Sequence, residues 1–195
     1  MNSDSLSKLL QKWPNVPDVF NWLSLDRRGT WRIKGSPITN PKMIKAINSN
    51  YFCDVDGSWF FQNGPQKVFV TLDYTPYVIF AYRAGDELKL KTHSGIEIKK
   101  IDEIYLDSDL NFLLTGDGRL GVILDRDLQA LIDGMSFSHQ GKLISLENVI
   151  ETDTKRLTVA FWNHETKVTK VTREYLLGKF NIQGDPAPSP GQPEC

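Results

Sequence analysis

Two rhythms of apolar residues run along the chain. Near its start Leu6, Leu9, Leu10 and Trp13 recur at helical spacing, which predicts a helix over residues 5–13 that Pro14 stops. Pro17 then opens a second short helix over residues 18–25, with Val19, Phe20 and Leu23 on one side. An apolar helical stripe normally faces a core, so this front end, residues 1–28, reads as a helical flap over part of a sheet. From Trp31 onward the period shortens to two. Trp31 and Ile33 alternate with Arg32 and Lys34; Val68, Val70 and Leu72 alternate with Phe69 and Thr71; Leu88 and Leu90 alternate with Lys89 and Lys91. That is the period of half-buried strands. Residues 77–82 are almost wholly apolar and read as a central strand covered on both faces.

A short pattern occurs twice. Gly29-Thr30-Trp31-Arg32-Ile33-Lys34-Gly35-Ser36-Pro37 is followed by Gly57-Ser58-Trp59-Phe60-Phe61-Gln62-Asn63-Gly64-Pro65. Each copy has a turn glycine, an aromatic start to a strand, a glycine that ends it and a proline at the exit. Between them Asn40-Pro41 supplies an N-cap and a first-turn proline, with Met43, Ile44 and Ile47 on one face of a helix over residues 40–48. The chain continues as a meander whose His93-Ser94-Gly95 loop returns through Ile96 and Ile98. A second series of strands follows, around Ile104, 110–115, Leu120 to Leu124, 142–146, 157–162 and 168–171, with a helix starting at Asp125; residues 173–180 carry no clear period. Phe137 stands as an isolated apolar residue before a turn. The expected fold is α+β: two β-rich units with mostly antiparallel sheets, each with a short packed helix, behind a helical N-terminus. The expected divisions are 1–28, 29–100 for the tryptophan-led unit, 101–183 for the second, and a disordered proline-rich tail over 184–195.

Composition adds limits more than direction. The chain has 195 residues, 40% hydrophobic and 24% charged, which is globular. A chain of this length buries roughly 70% of its unfolded surface and folds without metal or disulfide. The net charge of -1 gives no reason to expect nucleic acid or a membrane surface as partner. Residues 1–85 hold 10 Lys+Arg against 6 Asp+Glu, and residues 86–195 hold 13 against 18, a mild asymmetry of solvated faces. Cys53 and Cys195 form no CxxC, no signal peptide is legible and no run reaches the roughly 18 apolar residues of a membrane span, so the expected location is the cytoplasm.

Candidate chemistry is sparse. His93, His139 and His164 all fall in expected hairpin turns without a ligand at zinc spacing, so no metal and no cofactor are expected. Asp54-x-Asp56-Gly57 lacks the other ligands of a calcium loop and reads as a turn. Asp107 and Asp125 suit turns and helix starts, where carboxylates meet unpaired amides. Cys53, beside Phe52 in an expected strand, reads as a buried, inert thiol. No nucleophile elbow, phosphate loop or HExxH is present, and no catalytic residue is assigned. What remains is an aromatic and polar set: Trp31, Trp59, Phe61, Asn63, Tyr74, Tyr77, Arg28 and Arg32. Part-exposed Trp and Tyr beside Arg are the types that dominate binding hot spots. Most such aromatics serve a core, but this set is where a small molecule or protein partner is expected to dock.

The segment Trp31-x-Ile33-x-Gly35-x-Pro37-Ile38-x-x-Pro41, then a helix, Asp56-Gly57, an aromatic strand, Pro65-x-Lys67-Val68-x-Val70 and Tyr74-x-Pro76-Tyr77, resembles a bacterial family of proteins of unknown function. Leu88-x-Leu90-x-Thr92-x-x-Gly95 resembles that family's threonine-containing hairpin, and the resemblance covers roughly residues 29–100. It implies a two-part α+β protein with repeated structural motifs and a suspected role in signal transduction, and brings no catalytic residues. Two readings follow. One is a non-enzymatic ligand- or protein-binding regulatory module. The alternative is a small-substrate hydrolase, which requires two of His93, His139, His164, Asp107 and Asp125 to meet in one pocket. The strand edge after Ile98 also offers itself to a second copy, giving a homodimer.

Overall fold

The computed structural model describes residues 16–152, 156–161 and 164–188. The helix expected over residues 5–13 lies outside the described residues. The chain forms two compact units, Met1–Pro76 with Leu177–Cys195, and Tyr77–Leu176.

In the first unit Val19–Leu25 (β1), Trp31–Ile33 (β2), Ser36–Pro37 (β3), Tyr51–Cys53 (β4), Trp59–Asn63 (β5) and Gln66–Leu72 (β6) form one sheet in the order β3-β2-β1-β6-β5-β4. Of residues 18–25, expected as a helix, Val19–Leu25 are therefore a strand. Asn21 at φ 60 bulges β1 and shifts its register against β6. The bulge breaks the two-residue period, so Val19, Phe20 and Leu23 mimic helical spacing. Pairing with β2 on one side and β6 on the other then overrides local propensity. Between β2 and β3, Lys34 and Gly35 both take positive φ, the combination that a tight two-residue hairpin demands.

The helix between β3 and β4, Pro41–Ser49 (α1), starts as its sequence dictates. Asn40 Oδ1 accepts from the amides of Lys42 (3.0 Å) and Met43 (3.4 Å), and Ile47 is fully buried. The last described residues close the unit. Gln183 bridges Ser58, and the Leu72 amide donates to the Gly184 carbonyl at 2.7 Å. Thr71 Oγ1 donates to Asp185 and Pro186 is buried, so residues 184–186 of the expected loose tail are held in place; residues 189–195 lie outside the described residues.

The second unit is built from Tyr77–Ala84 (β7), Glu87–Thr92 (β8), Glu97–Ile98 (β9), Glu103–Leu106 (β10), Phe112–Gly116 (β11), Arg119–Ile123 (β12), Asp125–Ile132 (α2), Ser136–His139 (β13), Lys142–Ile144 (β14), Leu146–Glu151 (α3), Leu157–Phe161 (β15) and His164–Lys170 (β16). Arg173–Lys179 (α4) leads back to the first unit's closing residues. Its ten-stranded sheet runs β14-β13-β15-β16-β10-β11-β12-β7-β8-β9, with β9 at one edge. The strands 77–98, expected beside the tryptophan-led segment, hydrogen-bond into this sheet, through β7 on β12. Ser136–His139 forms a strand around Phe137, expected as an isolated apolar residue, and residues 146–151, of which Leu146 alone is expected in a strand, form a helix that Ser145 caps. Leu90 and Ile98 near one end of the sheet share a core with Phe137, Val159 and Phe161 near the other, so the sheet wraps round one apolar centre.

Both sheets are mixed. β1 and β6 run parallel in the first, and β7 with β12 and β10 with β16 run parallel in the second; the remaining pairs are antiparallel. Each parallel pair joins strands far apart in sequence, which alternation along a single strand cannot reveal. Among the described residues no helix is long and apolar enough to cross a membrane.

Candidate functional site

Trp31 and Trp59 meet through a third ring. Tyr51 lies edge-on to Trp31 at 5.1 Å and tilted on Trp59 at 4.8 Å. Trp31 is 2% exposed, and its Nε1 donates to Asn48 of α1 at 2.7 Å. The Tyr51 hydroxyl donates to the Pro76 carbonyl at 3.1 Å. These contacts join β2, β4, β5 and α1. Tyr74 is buried beneath Arg27, whose guanidinium carbon stands 4.6 Å from the ring centroid. Tyr77 is buried in the second unit, 5.9 Å from the His93 ring. Trp59 and Phe61 are half-buried on β5, Asn63 is exposed at its end, and Arg28 is exposed in the turn after β1. Of the eight residues, those buried in the structure can reach a partner only if the sheet opens.

Arg32 has a structural partner. Its Nε and terminal nitrogen donate to Asp26 Oδ2 at 3.0 Å each, and Nη1 donates to the Gly35 carbonyl. Asp26 also accepts from the amides of Arg28 and Thr30 at 2.9 Å each, fixing the turn between β1 and β2. Burial works to raise this carboxyl. The amides of Thr30 and Arg28 and the Arg32 guanidinium outweigh it and hold Asp26 below the ordinary carboxylate range. Cys53, expected to be buried, is exposed. Partial desolvation, then the Asp56 and Asp54 carboxylates, push its thiol up, away from the reactive thiolate.

Of the residues that a hydrolase would need, His93 and Asp107 already serve the backbone; the side chain of His164 lies outside the described residues. His93 Nδ1 accepts from the Val78 amide at 3.3 Å, and the His93 amide donates to the Val78 carbonyl at 2.7 Å. Although the residue as a whole is half-exposed, its ring is enclosed, and burial lowers its pKa to about 3. It is a neutral structural imidazole at physiological pH. Asp107 is 5% exposed; its Oδ1 accepts from the amides of Asp109 and Asn111, and both its oxygens accept from the Asn111 side chain, closing the loop after β10. Asp125 is exposed at the start of α2, while Asp127, in the same first turn, accepts from the Ala81 amide and ties the helix to β7. His139 ends β13 at its hairpin turn. Among the described residues no group of three or more His, Cys, Asp or Glu side chains is placed to hold a metal.

The second unit carries a groove of about 730 Å³ that alternation alone could not locate. Leu88 and Leu90 of β8, Ile98 of β9 and Phe161 of β15 supply its apolar surface. Asp86, Glu87, Lys89, Glu97 and Lys99 surround it, and Gly134 after α2 forms part of the wall. A Cβ at Gly134 would stand 3.0 Å from the Phe161 ring, so glycine lets that ring lie against the end of the helix. Lys89 pairs with Glu87 at 3.6 Å, and Glu97 accepts from the Tyr82 hydroxyl at 2.7 Å. No described acidic side chain pairs with Lys99, so its ammonium is the cation at the rim open to an anionic group. The sequence signal was the alternation of Leu88, Leu90 and Ile98 with charge. What it lacked was Phe161, some sixty residues away.

The architecture has solved counterparts. A DUF1285 family protein from Silicibacter pomeroyi DSS-3 is 18% identical with a TM-score of 0.53, covering 83% of this chain and 86% of its own. A second DUF1285 family protein, from Shewanella baltica OS155, is 22% identical with a TM-score of 0.45, over 60% of this chain and 92% of its own. The first likeness concerns the fold alone. No curated protein matches the sequence. The resemblance to an uncharacterised bacterial family agrees with a family profile that spans residues 3–187. By that match the chain belongs to the family described as "Protein of unknown function (DUF2946)".

Proposed function

We propose that this is a non-enzymatic binding module of the cytoplasm, and that the groove of the second unit holds a small amphipathic molecule. The groove carries the reading. Its volume of about 730 Å³ falls within the roughly 300–1,000 Å³ of small-molecule sites, and its lining joins an apolar floor of Leu88, Leu90, Ile98 and Phe161 to a rim of charged side chains. A chain or ring lies on Leu88, Leu90, Ile98 and Phe161, and an anionic head meets Lys99. The placement of His93 and Asp107 supports binding over acid–base chemistry, because both already satisfy backbone groups. A module of this kind acts through occupancy. A ligand that binds only the folded form stabilises it by about 2.7 kcal/mol at a hundred times Kd. Such a shift is what a regulatory role would use.

The test is thermal unfolding and titration calorimetry with medium-chain carboxylates and the matching alcohols. The carboxylate binds and raises Tm. Lys99→Ala weakens the carboxylate about tenfold and leaves the alcohol unchanged, in line with the loss of one charge-assisted contact of about 1.5 kcal/mol. Leu88→Trp, which fills the groove, abolishes both. Failure of every such molecule to bind at millimolar concentration, or equal binding by Leu88→Trp, overturns the reading.

A further inference from the structure

The first unit's sheet has one face that its described helix does not touch. Phe52 of β4 pairs across the sheet with Phe60 of β5, and Phe60 with Phe69 of β6, so all three point the same way. Phe20 of β1 stacks on Phe69 at 4.6 Å and 8°. Phe60 lies 5.9 Å from Phe69 and 6.1 Å from Phe52. Four neighbouring strands thus carry a ladder of four phenylalanines. The opposite face holds Tyr51 and Phe61, which pair with each other one position along, and with them Trp31 and the helix α1 that hydrogen-bonds it. Helix α1 therefore serves the face away from the ladder.

The ladder is nevertheless dry. Phe20, Phe60 and Phe69 are only 7–8% exposed, yet among the described residues their buried cluster comprises these three rings alone. Phe52, at its margin, is 48% exposed, and Trp22 of β1 is 42% exposed with the Lys34 ammonium over its ring. Rings of this size left open would present an aromatic patch of the kind that marks an interaction surface.

We propose that the occupant of this face is the chain's own segment 5–13, docked as an amphipathic helix along the ladder. Three observations select it. Leu6, Leu9, Leu10 and Trp13 lie at i, i+3, i+4 and i+7, one stripe of a helix, with Lys8, Gln11 and Lys12 turned away. Nine helical residues extend about 13 Å, and four strands at their usual spacing span about 14 Å, so the stripe matches the ladder in length. The attachment is also right. The Pro17 carbonyl accepts from Gln66 Nε2 at 2.9 Å, which fixes the chain beside β6 three residues before Phe20. Residues 14–16 reach about 10 Å when extended, enough to bring Trp13 over the ladder. The segment is a strap on an aromatic face, and a partner with a stronger apolar stripe of its own would have to displace it. This inference stands apart from the groove of the second unit.

The experiment removes the strap and returns it in trans. A chain lacking residues 1–15 is mixed with a synthetic peptide of that sequence. The peptide binds and gains helical circular dichroism, and Leu9→Asp in the peptide weakens binding at least tenfold, as losing a buried leucine requires. Phe52→Asp in the truncated chain, at the exposed margin of the ladder, weakens it too. Should the truncated chain not fold, full-length Leu9→Asp/Leu10→Asp serves instead, read by acrylamide quenching of Trp13 as the difference from the same chain with Trp13→Phe. Trp13 is shielded in the wild type and open in the variant. The inference is overturned by a peptide that does not bind a folded truncated chain, by Trp13 equally quenched in both full-length forms, or by light scattering that shows a full-length dimer split by Phe52→Asp, which would make a second copy the occupant.

Discussion

His93 should make this fold sensitive to mild acid, and the size of the effect follows from its enclosure. In the unfolded chain its pKa is that of an ordinary histidine, near 6.5, whereas burial lowers it to about 3 in the folded protein. Between those values the unfolded chain binds a proton that the folded chain refuses. Stability therefore rises with pH through this window and falls as pH drops below about 6.5. At pH 7.5 the effect is negligible. At pH 5.0 the unfolded chain gains about 2 kcal/mol from protonation of this one residue, at the linkage slope of about 1.4 kcal/mol per pH unit. Carboxylates with ordinary pKa values stay largely ionised at pH 5, so the window isolates the imidazole. Urea unfolding at pH 7.5 and 5.0 gives the comparison, with His93→Gln as the control, since glutamine keeps a polar group near the Val78 amide without a titrating proton. Wild type should lose about 2 kcal/mol more than the variant on going to pH 5.0. Equal losses in the two chains, or an NMR titration of His93 in the folded protein with a midpoint near 6.5, would show that the ring is not held neutral as argued.

Three further outcomes check other parts of the structure. Gly57 sits at φ 89 where an added Cβ would stand 1.9 Å from the Asn181 carbonyl oxygen, so Gly57→Ala should cost more than about 3 kcal/mol in thermal unfolding; Gly85→Ala, also at positive φ (64) but with open space around it, should cost only about 1 kcal/mol. Asp26→Asn should destabilise by about 2 kcal/mol at pH 7. Because its folded carboxyl is held below the usual range, that contribution is present above the ordinary carboxylate value and lost as pH falls through the lower folded one, so the stability difference between wild type and variant should shrink as pH is lowered. Light scattering should find a monomer up to about millimolar concentration, because β9 is a two-residue edge followed by Lys99 and Lys100, the short and charged design that blocks strand pairing; a dimer broken by mutating Glu97–Ile98 to proline would refute this.

Local rules in the sequence determined the pieces whose energetics are local. Asn40-Pro41 places the start of α1 because the cap and first-turn proline act within one turn. Lys34-Gly35 sets a hairpin because only positive φ closes it in two residues. Alternation over residues 87–92 marks a strand with one buried face. Tertiary structure alone decided the rest. Residues 19–25 became a strand because two neighbours pair with them on either side, across a bulge that disguises their period. Burial at Tyr74 and Tyr77 and the salt bridge at Arg32 are decided by where distant chain returns, which no spacing records. The groove needs Phe161 brought to Leu88 and Ile98 by a sheet that wraps round its core, and the parallel pairs that wrap it join strands more than forty residues apart. A contact between such residues is selected by the burial of the whole sheet, and a linear pattern holds no term for it.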